Sequence, residues 1–154
     1  NGVTLLINEC VEREYGGRIY LIAGLDDFTA GKPDEVSIHE QYKKMHERYA
    51  KAIPNAYRWL PRELILMQHS PGYFATRDRP NESKFTLLSL SGHTHGGQVT
   101  LFGFSFWTPR GSGPFVSGWY ATNHGDLYVA RGIGTSILPA RFGSRPEIAV
   151  FEMD

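Results

Sequence analysis

Short apolar runs alternate with polar turns along this chain, and their periods predict strands for most of its length and one helix. VTLLIN (residues 3–8) and RIYLIAGL (18–25) are strand-length runs rich in β-branched and aromatic residues. Gly16 and Gly17 supply a turn between them. We therefore expect these two runs to form neighbouring strands.

A single amphipathic helix is predicted from Val36 to Ile53, after the polar loop of residues 26–34. Its apolar positions recur at helical spacing opposite a face of Lys, Glu and Arg, and they are Tyr42, Met45, Tyr49, Ala52 and Ile53. His39 and His46 share one face of this helix, which we expect to be solvated or partly packed.

Two later strands are each predicted to end in histidine. ELILMQHS (63–70) reaches His69, and KFTLLSLSGHTH (84–95) reaches His93 and His95. If these strands are parallel, their carboxyl ends meet at one edge of the sheet, where ligands usually bind, and the three imidazoles share that edge. The competing interpretations are a hydrogen-bonded turn for the His-Thr-His pair and a solvated strand end for His69.

The His-Thr-His stretch is typical of a metal-binding turn. Alternate side chains of a strand share a face, so His93 and His95 are expected on the same side. The flanking glycines permit left-handed backbone conformations and close approach of other groups, and they are Gly92, Gly96 and Gly97. Neutral imidazoles with carboxylate help suit Zn, Fe, Ni or Mn and leave open positions for water.

The part after residue 100 is rich in Gly, Pro and aromatic residues and predicts mostly strands. Its strand-like pieces are FVSGWY (115–120), LYVAR (127–131) and EIAVFEM (147–153). LFGFSFWTP (101–109) alternates Phe102, Phe104 and Phe106, which predicts a core strand; the alternative is an exposed apolar lip beside the histidines. His124 lies in a predicted turn and is expected to be solvated.

Length and composition predict one domain, and the predicted strands with a single helix predict that this domain is an α+β sandwich. The chain has 154 residues and a formal net charge of +0, from 16 basic and 16 acidic residues, so no global attraction to nucleic acid is indicated. Cys10 is alone and cannot form an intrachain disulfide. No stretch approaches the ~18 consecutive apolar residues of a membrane span. The chain begins with Asn1, so we expect an upstream segment that carries any targeting signal or membrane attachment.

Three stretches resemble the calcineurin-like metallophosphoesterases, and most closely the bacterial branch of small, often membrane-associated members. They are LILMQHSPGYFA (64–75), LSLSGHTHGGQV (88–99) and LYVARGIGTSILPARFGSRPEIAVF (127–151). GRIYLIAGLDD (17–27) is similar to that branch's segment before its single-histidine strand. The resemblance covers nearly the whole chain, and Gly-His-Thr-His-Gly-Gly-Gln is its most specific part.

The resemblance implies a four-layer αββα sandwich with mixed β-sheets that holds two divalent metal ions, Mn, Zn or Fe. It also implies that His69 and His93 bind one metal and His95 the other. The implied activity is hydrolysis of a phosphodiester, pyrophosphate or monoester by a hydroxide that bridges the two metals. The implied location is the bacterial cytoplasm or the membrane surface.

The chain also departs from the family pattern. The family's upstream Asp-x-His, Gly-Asp and Gly-Asn-His motifs have no counterpart, because Asp26 and Asp27 stand in other contexts. Where the branch reads His-Asn-Pro-Asp, this chain has His69 followed by Ser70-Pro71-Gly72. Residues 1–154 are therefore interpreted as the C-terminal portion of a single metallophosphoesterase domain. The bridging carboxylate and the general acid are expected in the missing N-terminal half, so no catalytic residue besides the ligands is assigned here.

The resemblance leaves substrate and alternatives to be tested. A small phosphoester is expected, and a lipid-linked one is favoured if residues 101–109 are exposed beside the metals. Arg141 is a candidate phosphate clamp, whereas Arg145 is expected to pair with Glu147. The competing functions are a non-catalytic metal-binding or partner-binding segment, and a binuclear amidohydrolase, which needs a far longer βα barrel.

Overall fold

The structure is a computed structural model that describes residues 2–16, 18–52, 64–75, 86–123, 125–136 and 139–152. Its strands are β1 Glu9–Tyr15, β2 Arg18–Gly24, β3 Leu64–Met67, β4 Thr86–Ser91, β5 Thr100–Leu101, β6 Phe104–Ser105, β7 Gly118–Thr122 and β8 Gly125–Val129. The α-helix is α1 Glu35–Ala52, and short 3₁₀ turns cover Pro71–Ala75 and His95–Gly97.

Six of these strands form one mixed sheet in the order β1-β2-β3-β4-β8-β7. β2, β3, β4 and β8 run parallel to one another. β1 pairs antiparallel with β2 at one edge, and β7 pairs antiparallel with β8 at the other. The carboxyl ends of the four parallel strands therefore lie along one edge, as the sequence predicted. The α+β class is confirmed, and the open sheet has no resemblance to the closed barrel of an amidohydrolase.

Helix α1 confirms the amphipathic pattern with a start one residue earlier than predicted. The Asp34 side chain caps it by accepting the backbone N–H of Ser37 at 3.0 Å. Ile38 and Tyr42 are buried in one apolar cluster with sheet residues that include Leu66. The predicted last residue, Ile53, and the predicted strand residues Glu63, Lys84 and Phe85 lie outside the described residues.

The prediction of a strand at residues 3–8 is wrong. The strand that pairs with β2 is β1, which follows that run and carries charged residues along the sheet edge. Asn8 turns the chain with φ 55, and its side chain binds the loop before α1 by accepting from the Asp34 N–H at 2.9 Å. Leu6 lies so close over Gly24 that a Cβ there would come within 2.5 Å of the Leu6 Cβ.

The tail also departs from its predicted strands. Residues 147–152 form no strand, and Ile148 and Val150 are exposed, whereas the Phe151 ring packs on Trp119 and Tyr128. Met153 lies outside the described residues. The strand predicted at 115–120 begins only at Gly118.

Residues 101–109 do not form the predicted core strand. They fold into the short β5–β6 hairpin, and its large side chains are exposed: Phe102 by 91%, Phe104 by 75%, Phe106 by 72% and Trp107 by 55%. The structure instead has the alternative that the sequence left open, an exposed apolar lip. Phe102 and Gly103 form the hairpin turn with φ 51 and φ 84, so the alternating phenylalanines do not lie along one strand.

The two faces of the six-stranded sheet differ in coverage. One face carries the buried row Ala23, Leu66 and Leu127, which packs in the same cluster as α1. The opposite face is also apolar, but Ile22 and Ile65 are half-buried and Met67 is 38% exposed. In the described part of the chain, this second face is only partly covered.

Candidate metal centre

His69 and His93 are brought together by the parallel pairing of β3 and β4. The pairing continues past both strand ends, because Gly92 N–H donates to the His69 carbonyl at 3.2 Å. His93 Nδ1 lies 3.2 Å from His69 Nε2, and the two ring centroids are 4.9 Å apart. The structure thus places the predicted single histidine directly against His93, the first histidine of the predicted pair.

His93 and His95 lie in a tight turn beyond β4, and not on the strand itself. Both have left-handed backbone conformations, with φ 68 for His93 and φ 51 for His95. Such conformations are unfavourable for residues with a Cβ and concentrate at functional sites. Thr94 anchors the turn, because its buried hydroxyl donates to the Val116 carbonyl at 2.6 Å.

The glycines after the turn are required by close packing. A Cβ on Gly96 would lie 2.4 Å from Ser144 Oγ, and one on Gly97 would lie 2.0 Å from Ser105 Oγ. Both residues also have positive φ, so the prediction made for them is confirmed. Gly92 differs, because nothing lies within 4 Å of the position of its Cβ.

The second nitrogen of each turn histidine faces a backbone carbonyl. His93 Nε2 lies 2.8 Å from the Arg110 carbonyl oxygen, and His95 Nδ1 lies 3.2 Å from the Gly134 carbonyl oxygen. A carbonyl can only accept, so in the neutral ring the nitrogen that faces the carbonyl carries the proton. The unprotonated atoms of the neutral rings are then Nδ1 of His93 and Nε2 of His95. This is the arrangement expected of metal-binding histidines, whose other nitrogen donates to a carbonyl or carboxylate.

A glycine contact joins the segment that carries the Arg110 carbonyl to the segment after His69. Gly72 N–H donates to the Gly111 carbonyl at 2.7 Å, and a Cβ on Gly72 would come within 2.5 Å of that oxygen. The segment after His69 and the segment around Arg110 can therefore approach only because residue 72 is glycine. The Gly72 that departs from the family pattern thus has a structural role.

His69 is held mainly in its neutral form. Burial lowers its pKa, and the nearby imidazole of His93 lowers it further, while the charge of Asp27 acts in the opposite direction. A neutral imidazole is the form that binds a metal ion. The electrostatics at His69 therefore favour ligation.

Asp27 organises the loop beside His69. Burial raises the pKa of its carboxyl, but hydrogen bonds from Thr29, Ala30 and Ser70 outweigh burial and bring the pKa to about 2. The Ser70 hydroxyl donates to Asp27 Oδ2 at 3.2 Å, which ties this loop to the residue next to His69. In the sequence, Asp27 is notable only because it stands outside the family motifs. Its role depends on a contact with Ser70, which lies 43 residues further along the chain.

Replacing Asp27 by Asn should lower the free energy of unfolding by about 1 kcal/mol at pH 7, after allowing for the partial exposure of the carboxylate. The pKa is lowered from 3.8 to about 2 on folding, so this stabilisation is present above about pH 4 and is lost as the pH falls towards about 2. Urea unfolding of both proteins between pH 7 and pH 3 measures the difference. The same change at the exposed Asp126 serves as the control, and a difference that does not vary with pH would contradict this role for Asp27.

The other candidate residues are placed as follows. Among the described residues, no group of three or more His, Cys, Asp or Glu side chains is arranged to hold a metal ion.

Glu147 pairs with Arg131 at 2.8 Å, so the expected pairing of Arg145 with Glu147 is wrong. His46 packs on the Tyr42 ring, as expected for a partly packed face, and His124 lies outside the described residues.

Comparison with known proteins finds curated relatives of this chain. It is 36% identical over 134 residues to an uncharacterized metallophosphoesterase, YkuE, of Bacillus subtilis, a region that covers 86% of this chain and 40% of that protein. It is 30% identical over 154 residues to the phosphodiesterase YaeI of Escherichia coli, covering 99% of this chain and 48% of that protein. The chain is a relative of the metallophosphoesterases. The resemblance noted in the sequence is thereby confirmed.

Other comparisons add less. This metallophosphoesterase relative is also 37% identical over 91 residues to a transmembrane protein with metallophosphoesterase domain of Danio rerio, which covers 55% of this chain and 18% of that protein. The chain spans about half the length or less of the curated relatives it matches. No protein-family model matches it, and neither does any solved structure. Within the described residues, no helix has the length and apolar character to cross a membrane.

Proposed function

We propose that the full-length protein hydrolyses phosphoesters at a binuclear divalent-metal centre, to which this chain contributes His69, His93 and His95. The observation that carries the proposal is the 3.2 Å separation of His69 Nε2 and His93 Nδ1. Two imidazole nitrogens bound to one Zn²⁺ at about 2.1 Å with a near-tetrahedral angle lie about 3.4 Å apart. The observed spacing therefore suits two ligands of one ion.

The protonation pattern also fits a metal. The Arg110 carbonyl fixes the proton of His93 on Nε2, so the lone pair of Nδ1 faces His69. Without a cation, this contact is satisfied only if His69 Nε2 carries a proton that it donates to His93. With a cation, both lone pairs have a partner. Zn²⁺, Mn²⁺ and iron all accept imidazole nitrogen, so the donor atoms do not distinguish among these metals.

Each residue has a separate part in the proposed reaction. His69 and His93 hold one ion, and His95, fixed by the Gly134 carbonyl, presents Nε2 to the other. When bound, two divalent ions supply the Lewis acidity that activates water and stabilises the charge of the phosphoryl transition state. The rigid turn from His93 to Gln98 keeps the two sites at a fixed separation, because its left-handed residues restrict other conformations.

The remaining ligands are proposed to come from outside this chain. Two observations support this: the described residues hold no group of three or more ligand side chains, and the curated relatives are about twice as long. The partly covered sheet face with Ile22, Ile65 and Met67 matches the inner face of a sandwich. We propose that residues 1–154 are the C-terminal portion of one domain, whose N-terminal half supplies a second sheet and the upstream aspartates of a four-layer αββα arrangement.

A substrate with an apolar group is proposed from the exposed surface beside the histidine turn. The aromatic lip, defined as Leu101 to Trp107, packs against Gly97 through Ser105 and is exposed. Exposed apolar surface at this position favours a lipid-linked phosphoester over a nucleotide.

Replacing Phe102 and Phe104 together by Ser should lower kcat/KM about tenfold for a long-chain alkyl phosphodiester in mixed micelles. Two exposed phenyl groups that enter an apolar phase contribute roughly 1.5–3 kcal/mol each when fully buried, and partial burial gives less. Hydrolysis of soluble bis(4-nitrophenyl) phosphate should change less than twofold. Val36, which is 63% exposed on α1, provides the control when replaced by Ser. Equal losses on both substrates would refute the role of the lip in substrate choice.

The proposed hydrolytic activity is tested with the full-length protein. Purified protein should contain divalent metal by plasma mass spectrometry, and it should hydrolyse bis(4-nitrophenyl) phosphate in a manner that chelation abolishes and added metal restores. Metal without turnover on any phosphoester would favour the second candidate, a non-catalytic metal-binding or partner-binding segment. Hydrolysis that is unaffected by chelation would refute the metal-dependent mechanism.

A further inference from the structure

Arg141 lies behind His95 on the side away from Nε2. Its Nε–H donates to the Gly134 carbonyl at 2.7 Å, and its Nη2 atom donates to the Arg131 carbonyl at 2.8 Å. Nη2 also lies within hydrogen-bond distance of the Gly134 carbonyl and 3.3 Å from His95 Nδ1. The guanidinium therefore fastens the loop of residues 131–134 beside the histidine.

Counting hydrogens decides the direction of the contact with His95. Nη2 has two hydrogens, and two carbonyl oxygens, those of Gly134 and Arg131, are closer to it than the imidazole is. No hydrogen of Nη2 is left for His95 Nδ1. A proton on Nδ1 then has the Gly134 carbonyl as its acceptor, which Arg141 holds in place and which the ring shares with the Arg141 side chain.

We propose that Arg141 is a positioning residue, which holds the Gly134 carbonyl against His95 Nδ1 and so keeps Nε2 of His95 unprotonated and free to bind metal. The inference rests on the proposed function for the identity of His95 as a ligand. It differs from the phosphate clamp considered for Arg141, because the hydrogens of Nε and Nη2 serve backbone carbonyls and Nη1, which has no partner among the described residues, is buried. A fixed partner on the second ring nitrogen also orients the ring and raises its basicity.

The test compares four forms of the full-length protein: wild type, Arg141→Gln, Arg141→Lys and Arg145→Gln. Long-range ¹H–¹⁵N spectra of the metal-free proteins report which nitrogen of His95 carries the proton, with the signal assigned from its loss in His95→Gln. Zn²⁺ affinity is measured by competition with a chelating dye, and thermal unfolding checks that each variant is folded.

We expect the His95 proton on Nδ1 in the wild type and partly on Nε2 in Arg141→Gln, whose Zn²⁺ affinity should fall about 10–100-fold. Arg141→Lys keeps one donor for a carbonyl but not the fork, so its affinity should lie between the two. Arg145 is exposed on the same segment, and its variant should stay within about twofold of wild type.

A wild-type proton on Nε2, or a tautomer unchanged in both Arg141 variants, would overturn the inference. A wild-type protein that binds no Zn²⁺ would instead refute the proposed function. The tautomer comparison would still decide whether Arg141 positions His95, because it is made on the metal-free protein. The two failures are therefore distinguishable.

Discussion

Replacing His93 by Ala in the full-length protein should remove bound metal and lower phosphodiester hydrolysis by more than ~100-fold. Loss of an outer-shell partner alone typically costs ~10–100-fold, and His93 is proposed as a direct ligand that also adjoins His69 at 3.2 Å. Stability should change little, because the side chain is half-exposed and both His and Ala carry a Cβ at φ 68, so the backbone cost rises only slightly. Metal content, steady-state hydrolysis and urea unfolding of the same preparations measure the three effects.

His39 provides the matched control, because it is a half-exposed histidine on α1, away from the proposed site. His39→Ala should keep both metal content and rate. If His93→Ala kept its metal and rate, the pair of imidazoles would be a structural contact and not a ligand set. If it lost metal but kept its rate, hydrolysis would depend on other groups.

The arrangement of the histidines is the part of the site that the sequence predicted most directly. Apolar runs that end in His69 and in the His-Thr-His turn indicated two buried strands with polar ends, and parallel neighbours must bring those ends to one edge. The direction of each imidazole could not be predicted in the same way. It depends on the carbonyls of Arg110 and Gly134, and a backbone carbonyl has no signature in the sequence.

The wrong strand predictions have a common physical cause. A local sequence pattern does not show which other segments pair with a stretch or bury it. VTLLIN is as apolar as a strand, but Asn8 turns the chain and Leu6 packs over Gly24 instead of pairing. The alternating phenylalanines after residue 100 have the pattern of a core strand, yet a turn at Phe102 and Gly103 interrupts that strand and all three phenyl rings are exposed. Only contacts between distant segments distinguish these outcomes.

The contact of Gly97 with Ser105 joins the His-Thr-His turn to the aromatic lip, and disrupting it should have a large effect on stability. Gly97 has φ +75, and an added Cβ would lie 2.0 Å from Ser105 Oγ and 2.5 Å from Ser105 Cβ. Replacing Gly97 by Ala should lower the free energy of unfolding by about 3 kcal/mol, because a left-handed Ala costs about 1–2 kcal/mol and overpacking costs about 1–3 kcal/mol.

A double-mutant cycle separates these two costs. In a Ser105→Gly background the nearest remaining atom would be the residue 105 Cα at 3.5 Å, so Gly97→Ala should there cost only the backbone part, about 1–2 kcal/mol. The coupling between the two positions should therefore be about 1–2 kcal/mol, measured by urea unfolding of the four full-length proteins. Additive effects would mean that Ser105 moves away without cost. In that case the hairpin is not fixed to the turn, and the aromatic lip has no defined position relative to His95.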